Sequence, residues 1–150
     1  SQPLHMSQHY NGWGDYPNPK GFTKAPIHGP FEGELVAASV RPDALRAAMP
    51  GPGAPCDCPI EQEAADYLKG AWSLVVPLYE MEKAGGLGAD NAAARAMAVK
   101  QLAIAAGKLR DLTVRAWADS ATQQVGWKPV AVADVVAGKV DPYPALYGID

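Results

Sequence analysis

Apolar residues recur at three- and four-residue steps through most of the second half of the chain, and this spacing is typical of amphipathic helices. One such stretch covers 60–81, and we predict that Pro77 bends the helix there because proline removes a backbone hydrogen bond. A second and longer helix is expected to begin at a cap supplied by Asp90 or Asn91 and to continue through Trp117. The pattern predicts an all-α fold.

The first part of the chain is less regular. We predict an ordered loop over 9–26, where aromatic residues alternate with Gly and Pro and no helical or strand periodicity survives. A helix should start near His28 and keep one apolar stripe inward, followed by a short helix at 44–49. In the tail we expect a short helix around 133–137, with a strand as the alternative, and an extended segment at 141–144.

The chain of 150 residues, with 48% apolar composition, is long enough for one domain with a real core. We predict a single domain over 1–150: a loop and helix at 1–41, a Pro/Gly connection at 50–59, and a helical scaffold with a tail at 60–150. The net charge of −3 and the lack of a Lys/Arg cluster argue against a broad surface for duplex nucleic acid. No apolar run is long enough to predict a transmembrane segment.

Cys56 and Cys58 are the two cysteines, and they flank a single aspartate. A disulfide between residues so close requires a strained ring, and two thiolates alone make a poor structural zinc site. Free thiols in a loop, or disulfides to cysteines outside this chain, are therefore the favoured interpretations.

His28 and Glu32 are four residues apart, which on a helix places both side chains on one face. They are candidate metal ligands, and His5 is the candidate third ligand, in the His₂Glu set of zinc sites that keep a position open for water or substrate. Without further support, a solvated His–Glu pair is the commoner explanation of this spacing.

The order of residues around these three positions adds that support. The strings Ser1-Gln2-Pro3-Leu4-His5 and His28-Gly29-Pro30-Phe31-Glu32 resemble the second half of the metal-binding sequence of zinc-dependent phospholipases C and fungal-type single-strand-specific nucleases. The Pro-x-His run and the His-x-x-x-Glu run lie about two dozen residues apart, as in that superfamily. The resemblance implies a helical fold with a long ordered N-terminal loop, and a zinc ion held by His5, His28 and Glu32.

The family's remaining ligands have no counterpart here. Its His and Asp residues ten and six positions before the first ligand fall outside a sequence with only four residues before His5. We therefore expect the chain to be the C-terminal part of a longer enzyme, with its missing N-terminal part as a partner, and to keep at most one weak zinc site and little activity alone. No catalytic residue is predicted beyond the metal ligands.

The resemblance implies a phosphodiester substrate, either a phospholipid headgroup or single-stranded nucleic acid, and a periplasmic or secreted location. Glu32 favours the phospholipase branch, because the nucleases end this run in Asp. His9, Tyr10, Asn11 and Trp13 are the candidate substrate-binding residues, since rings beside a metal can stack a base or flank a headgroup. The alternative is a non-catalytic helical binding or scaffold domain descended from such an enzyme.

Overall fold

The fold is mostly helical, and the all-α prediction is confirmed in a computed structural model of the chain that describes residues 1–53, Cys56 and 58–148. No helix in these ranges is both long enough and apolar enough to cross a bilayer. The elements, in chain order, are a 3₁₀ helix Pro3–Met6, a π-helix Pro30–Leu35, α1 Val36–Ser39, α2 Pro42–Ala48, α3 Ile60–Trp72, α4 Val75–Gly85, α5 Ala92–Ser120, β1 Gln124–Val125, β2 Val130–Ala131, α6 Val132–Val136 and α7 Pro142–Tyr147.

Packing divides the chain into two compact units, Ser1–Lys108 and Leu109–Asp150. The division falls inside α5. In the second unit, β1 and β2 form a two-stranded antiparallel sheet, with Gln124 opposite Ala131.

The hydrophobic core of the first unit is built from both ends of that unit. Nearly half of its buried residues precede α1, so the N-terminal loop is part of the core and not a covering over it. The cluster contains Leu4, Phe22, Ile27, Phe31, Leu35, Val75, Leu78, Tyr79, Leu87, Ala94 and Ala98.

The segment 9–26 is an ordered loop, as predicted. The Trp13 N–H donates to the Thr23 carbonyl (2.9 Å), which closes the loop at its base. Within the loop, the side chain of Asn18 accepts from the Phe22 N–H (2.8 Å) and donates to the Phe22 carbonyl (2.7 Å). Phe22 is 4% exposed, so these bonds fix the ring that anchors the loop in the core.

The prediction of one bent helix over 60–81 is wrong, because the structure has two helices, α3 and α4, separated at Ser73 and Leu74. Pro77 lies in the first turn of α4, where an N–H has no helical partner to lose. The prediction for α5 is sharpened: the side chain of Asn91, not that of Asp90, accepts from the Ala94 N–H (3.0 Å) and caps the helix.

Three smaller expectations are corrected. The segment 141–144 is not extended, because the Asp141 side chain accepts from the Tyr143 N–H (2.9 Å) and caps α7. The predicted helix at 44–49 starts two residues earlier, with Pro42 in the first turn, where proline is favoured. The predicted helix at 133–137 is shifted by one residue towards the N-terminus, as α6.

The cysteines are paired with each other, which the sequence interpretation disfavoured. Cys56 and Cys58 form a disulfide, and the structure contains no free cysteine among its described residues. The described residues of the predicted connection at 50–59 (50–53, 56, 58 and 59) form no helix or strand, whereas Ala54, Pro55 and Asp57 lie outside the described residues.

The side chain of Tyr79 joins α4 to the N-terminal loop. Its ring is fully buried, and its hydroxyl accepts from the Gly12 N–H (3.1 Å) while donating to the His9 carbonyl (2.6 Å). Burial raises the pKa of Tyr79 above its ordinary value, partly offset by the bond from Gly12, so the hydroxyl stays protonated at neutral pH. Gly12 has a φ of +113°, and a Cβ there would lie 2.5 Å from the Lys24 carbonyl oxygen.

We predict that Tyr79→Phe lowers the free energy of unfolding by about 1–3 kcal/mol, because two backbone groups in the interior lose their partner. Urea denaturation followed by far-UV circular dichroism measures the change. Tyr143→Phe is the matched control, since this side chain is 59% exposed. Equal stability of both variants would contradict the role given to the Tyr79 hydroxyl.

Candidate metal centre

His5 is presented to solvent by a short helix whose other side is buried. The 3₁₀ helix Pro3–Met6 buries Pro3 and Leu4, and Leu4 is 0% exposed. The Gln2 side chain caps this helix by accepting from the Leu4 N–H (3.0 Å). The backbone immediately before His5 is therefore fixed, while the side chain of His5 remains 53% exposed.

His28 and Glu32 lie at the start of the helical segment that leads into α1. The Asn11 side chain accepts from the His28 N–H (3.2 Å), so the preceding loop caps this segment. The sequence predicts a regular α-helix here, but Pro30–Leu35 is a π-helix, in which the hydrogen bonds span five residues. Such segments are rare and are often found at functional sites. Glu32 nevertheless remains beside His28.

The three candidate ligands converge on one point. The Nε2 atoms of His5 and His28 are 2.8 Å apart, and their rings stack with centroids 5.0 Å apart. The Glu32 Oε2 atom lies 3.1 Å from the His28 Nε2 and 3.4 Å from the His5 Nε2. Among the described residues, this is the one group of His, Cys, Asp and Glu side chains close enough to hold a metal ion.

The chemistry and spacing of these atoms fit a metal ion. Zinc bonds of about 2.0–2.1 Å in tetrahedral geometry place neighbouring ligand atoms roughly 3.3 Å apart, close to the three separations seen here. A solvated His–Glu pair explains the contact between His28 and Glu32 but not the approach of His5 from a separate, buried helix. All three side chains are partly exposed, so an ion held by them would be reached by solvent.

The four candidate substrate-binding residues have different surroundings. The His9 ring stacks on the Trp13 ring (4.0 Å between centroids), and its Nδ1 contacts the Trp13 carbonyl at 2.6 Å. The Trp13 indole donates to the Pro17 carbonyl (3.0 Å), so both rings serve the loop itself. Asn11 caps the segment that starts at His28. Tyr10 is 56% exposed, and its ring lies nearly perpendicular to the His28 ring with 6.2 Å between the centroids, so it is the one aromatic ring of the four in contact with the candidate cluster.

Sequence reasoning missed Gln2 as part of the site. Its Nε2 donates to the Glu32 Oε2 at 3.1 Å. Glutamine is not a preferred helix-capping residue, so its residue type did not indicate that Gln2 caps the helix carrying His5. It also missed an apolar cavity of about 90 Å³ beside Glu32, whose lining includes Phe31, Val36 and Gln101.

Comparisons of the chain with models of protein families, with curated proteins and with solved structures found no match. The function of the chain is therefore inferred from the geometry of this cluster together with the residues that carry the sequence resemblance.

We predict that the chain binds one zinc ion and that His28→Ala removes it without changing the helical circular dichroism spectrum, because the imidazole is a surface ligand and not a core residue. Zinc bound at equilibrium, measured by atomic emission after dialysis against buffered zinc, is the readout. His9→Ala is the matched control, since its ring lies against Trp13, outside the cluster. Equal zinc content in the wild type and in a His5→Ala/His28→Ala double variant would contradict the ligand assignment.

Proposed function

We propose that the chain carries one zinc site of a zinc-dependent phosphodiester hydrolase. The observation that carries this proposal is the convergence of the His5, His28 and Glu32 ligand atoms within 2.8–3.4 Å of one another. These are the residues at which the sequence resembles phospholipases C and single-strand nucleases, and their proximity is what the resemblance requires.

In this proposal the two imidazoles and the carboxylate hold a zinc ion that supplies Lewis acidity towards a phosphoryl oxygen. Neighbouring residues of the chain fix the positions of these three side chains. The buried residues Pro3 and Leu4 hold His5 against lateral movement, and the Asn11 cap holds the backbone of His28. Partial exposure of the cluster leaves room for an extended, anionic substrate.

The substrate is a phosphodiester, of a phospholipid headgroup or of single-stranded nucleic acid. Tyr10 is placed to contact the group attached to the phosphate, because its exposed ring lies 6.2 Å from the His28 ring. The phenol ring can pack against a base or against the apolar part of a headgroup. An excess of negative charge on the chain does not oppose this function, since affinity for phosphate is supplied by the metal ion.

We also propose that the protein acts in the periplasm or outside the cell. The disulfide between Cys56 and Cys58 supports this location, because disulfides persist in oxidising compartments and are rare in the cytosol.

We predict slow hydrolysis of bis(4-nitrophenyl) phosphate that requires zinc. A chelator should abolish it, zinc should restore it, and His28→Ala should lower it to the background rate, because this variant lacks a ligand. Release of 4-nitrophenolate measures the rate, and Asn91→Ala serves as a control variant with an altered helix cap away from the cluster.

The outcome also decides between the proposal and its rival. Zinc-dependent hydrolysis by the chain favours the enzyme over a non-catalytic binding or scaffold domain. Hydrolysis that persists in the chelator or in His28→Ala contradicts the zinc mechanism.

A further inference from the structure

The side chain of Gln2 makes two hydrogen bonds that connect separate parts of the site. Its Oε1 accepts from the Leu4 N–H at 3.0 Å, which caps the 3₁₀ helix carrying His5. Its Nε2 donates to the Glu32 Oε2 at 3.1 Å, across thirty residues of sequence. One amide group thus links the helix of one candidate ligand to the side chain of another.

The orientation of this amide is determined by its partners. A backbone N–H requires an acceptor, and a carboxylate requires a donor. Rotating the amide by half a turn would place Nε2 against the Leu4 N–H and Oε1 against the Glu32 carboxylate, and both contacts would be repulsive. The two bonds therefore select one arrangement, and each reinforces the other.

The backbone of Gln2 is also restrained on both sides. The Ser1 hydroxyl accepts from the Tyr67 hydroxyl of α3 at 2.7 Å, and Pro3 is fully buried. Because the Oε1 bond to the Leu4 N–H already holds the amide, Gln2 loses less side-chain entropy when its Nε2 binds a carboxylate than a free surface glutamine would.

The bond from Gln2 leaves Glu32 able to bind a metal ion. A carboxylate oxygen has two lone pairs, and Gln2 uses one lone pair of Oε2. The remaining lone pairs of the carboxylate are available to a metal ion, and the His5 and His28 Nε2 atoms lie within 3.4 Å of Oε2. Hydrogen bonds of this kind orient metal-binding carboxylates and typically change metal affinity by 10–100-fold when removed.

We infer that Gln2 is a positioning residue of the metal centre, which orients the Glu32 carboxylate for zinc through its Nε2 donor, in addition to capping the helix of His5. This inference rests on the proposed zinc site. It assigns to Gln2 a contribution to zinc affinity that is separate from its contribution to helix stability.

Two substitutions separate these contributions. Gln2→Ser keeps a hydroxyl that can cap the 3₁₀ helix, since serine is a preferred cap, but its side chain is too short to reach Glu32. Gln2→Ala loses both bonds. Asn91→Ala is the matched control, because the Asn91 amide also caps a helix with its oxygen and donates to a carbonyl, that of Gly86, with its nitrogen.

Zinc affinity is measured by competition with a chromophoric chelator at fixed pH, and thermal unfolding of the zinc-free chain is measured in parallel. We expect Gln2→Ser to weaken zinc binding about tenfold with an unchanged midpoint of unfolding. Gln2→Ala should weaken zinc binding at least as much and also lower the midpoint. Asn91→Ala should lower the midpoint and leave zinc affinity unchanged.

Wild-type zinc affinity in Gln2→Ser would overturn the inference, because the side chain would then act only as a helix cap, and the proposed zinc site would stand. Failure of the wild-type chain to bind zinc would overturn the zinc site and the inference together. The two failures are distinguished by the wild-type titration alone.

Discussion

Burial of three apolar side chains determines where the candidate metal ligands lie. Each ligand directly follows, in sequence, a residue that is at most 4% exposed, and burying such a side chain contributes about 1.5–3 kcal/mol. An exposed ion pair contributes about 0–1 kcal/mol, so the core and not the cluster fixes the geometry. The three pairs are Leu4–His5, Ile27–His28 and Phe31–Glu32.

This arrangement explains how the ligand atoms can converge while their side chains remain partly exposed. In the cluster, two imidazole nitrogens and a carboxylate oxygen lie 2.8–3.4 Å apart. Packing of the apolar side chains does not by itself require these polar atoms to be so close. Unless an ion lies between them, the two nitrogens at 2.8 Å must share a proton, since two lone pairs facing each other repel. The core thus holds together two imidazole nitrogens and a carboxylate oxygen, which are atoms of the kind that bind zinc.

The sequence predicted the helical class, the loop and the proximity of the three ligands, because each depends on local periodicity or on a motif. It did not predict the break between α3 and α4, since a proline in a first turn and a proline in a helix interior look alike in sequence. The Tyr79 and Gln2 hydrogen bonds were also missed. The Tyr79 hydroxyl bonds to residues at least 67 positions away, and Gln2 bonds to Glu32 across 30 positions. The periodicity of a single sequence carries no information about such distant pairs.

The closure of the N-terminal loop bears on how related sites can be recognised. The Asn11 side chain accepts from the His28 N–H, and the Trp13 N–H donates to the Thr23 carbonyl. The residues between these two contacts form a bulge whose ends are held by hydrogen bonds outside its tip. Lengthening such a bulge costs little free energy, because loop-closure entropy grows only with the logarithm of length. The separation of His5 and His28 along the chain is then informative only together with the strings around each residue, because insertions in the bulge can change it. The buried residue before each candidate ligand is a feature that such insertions do not alter.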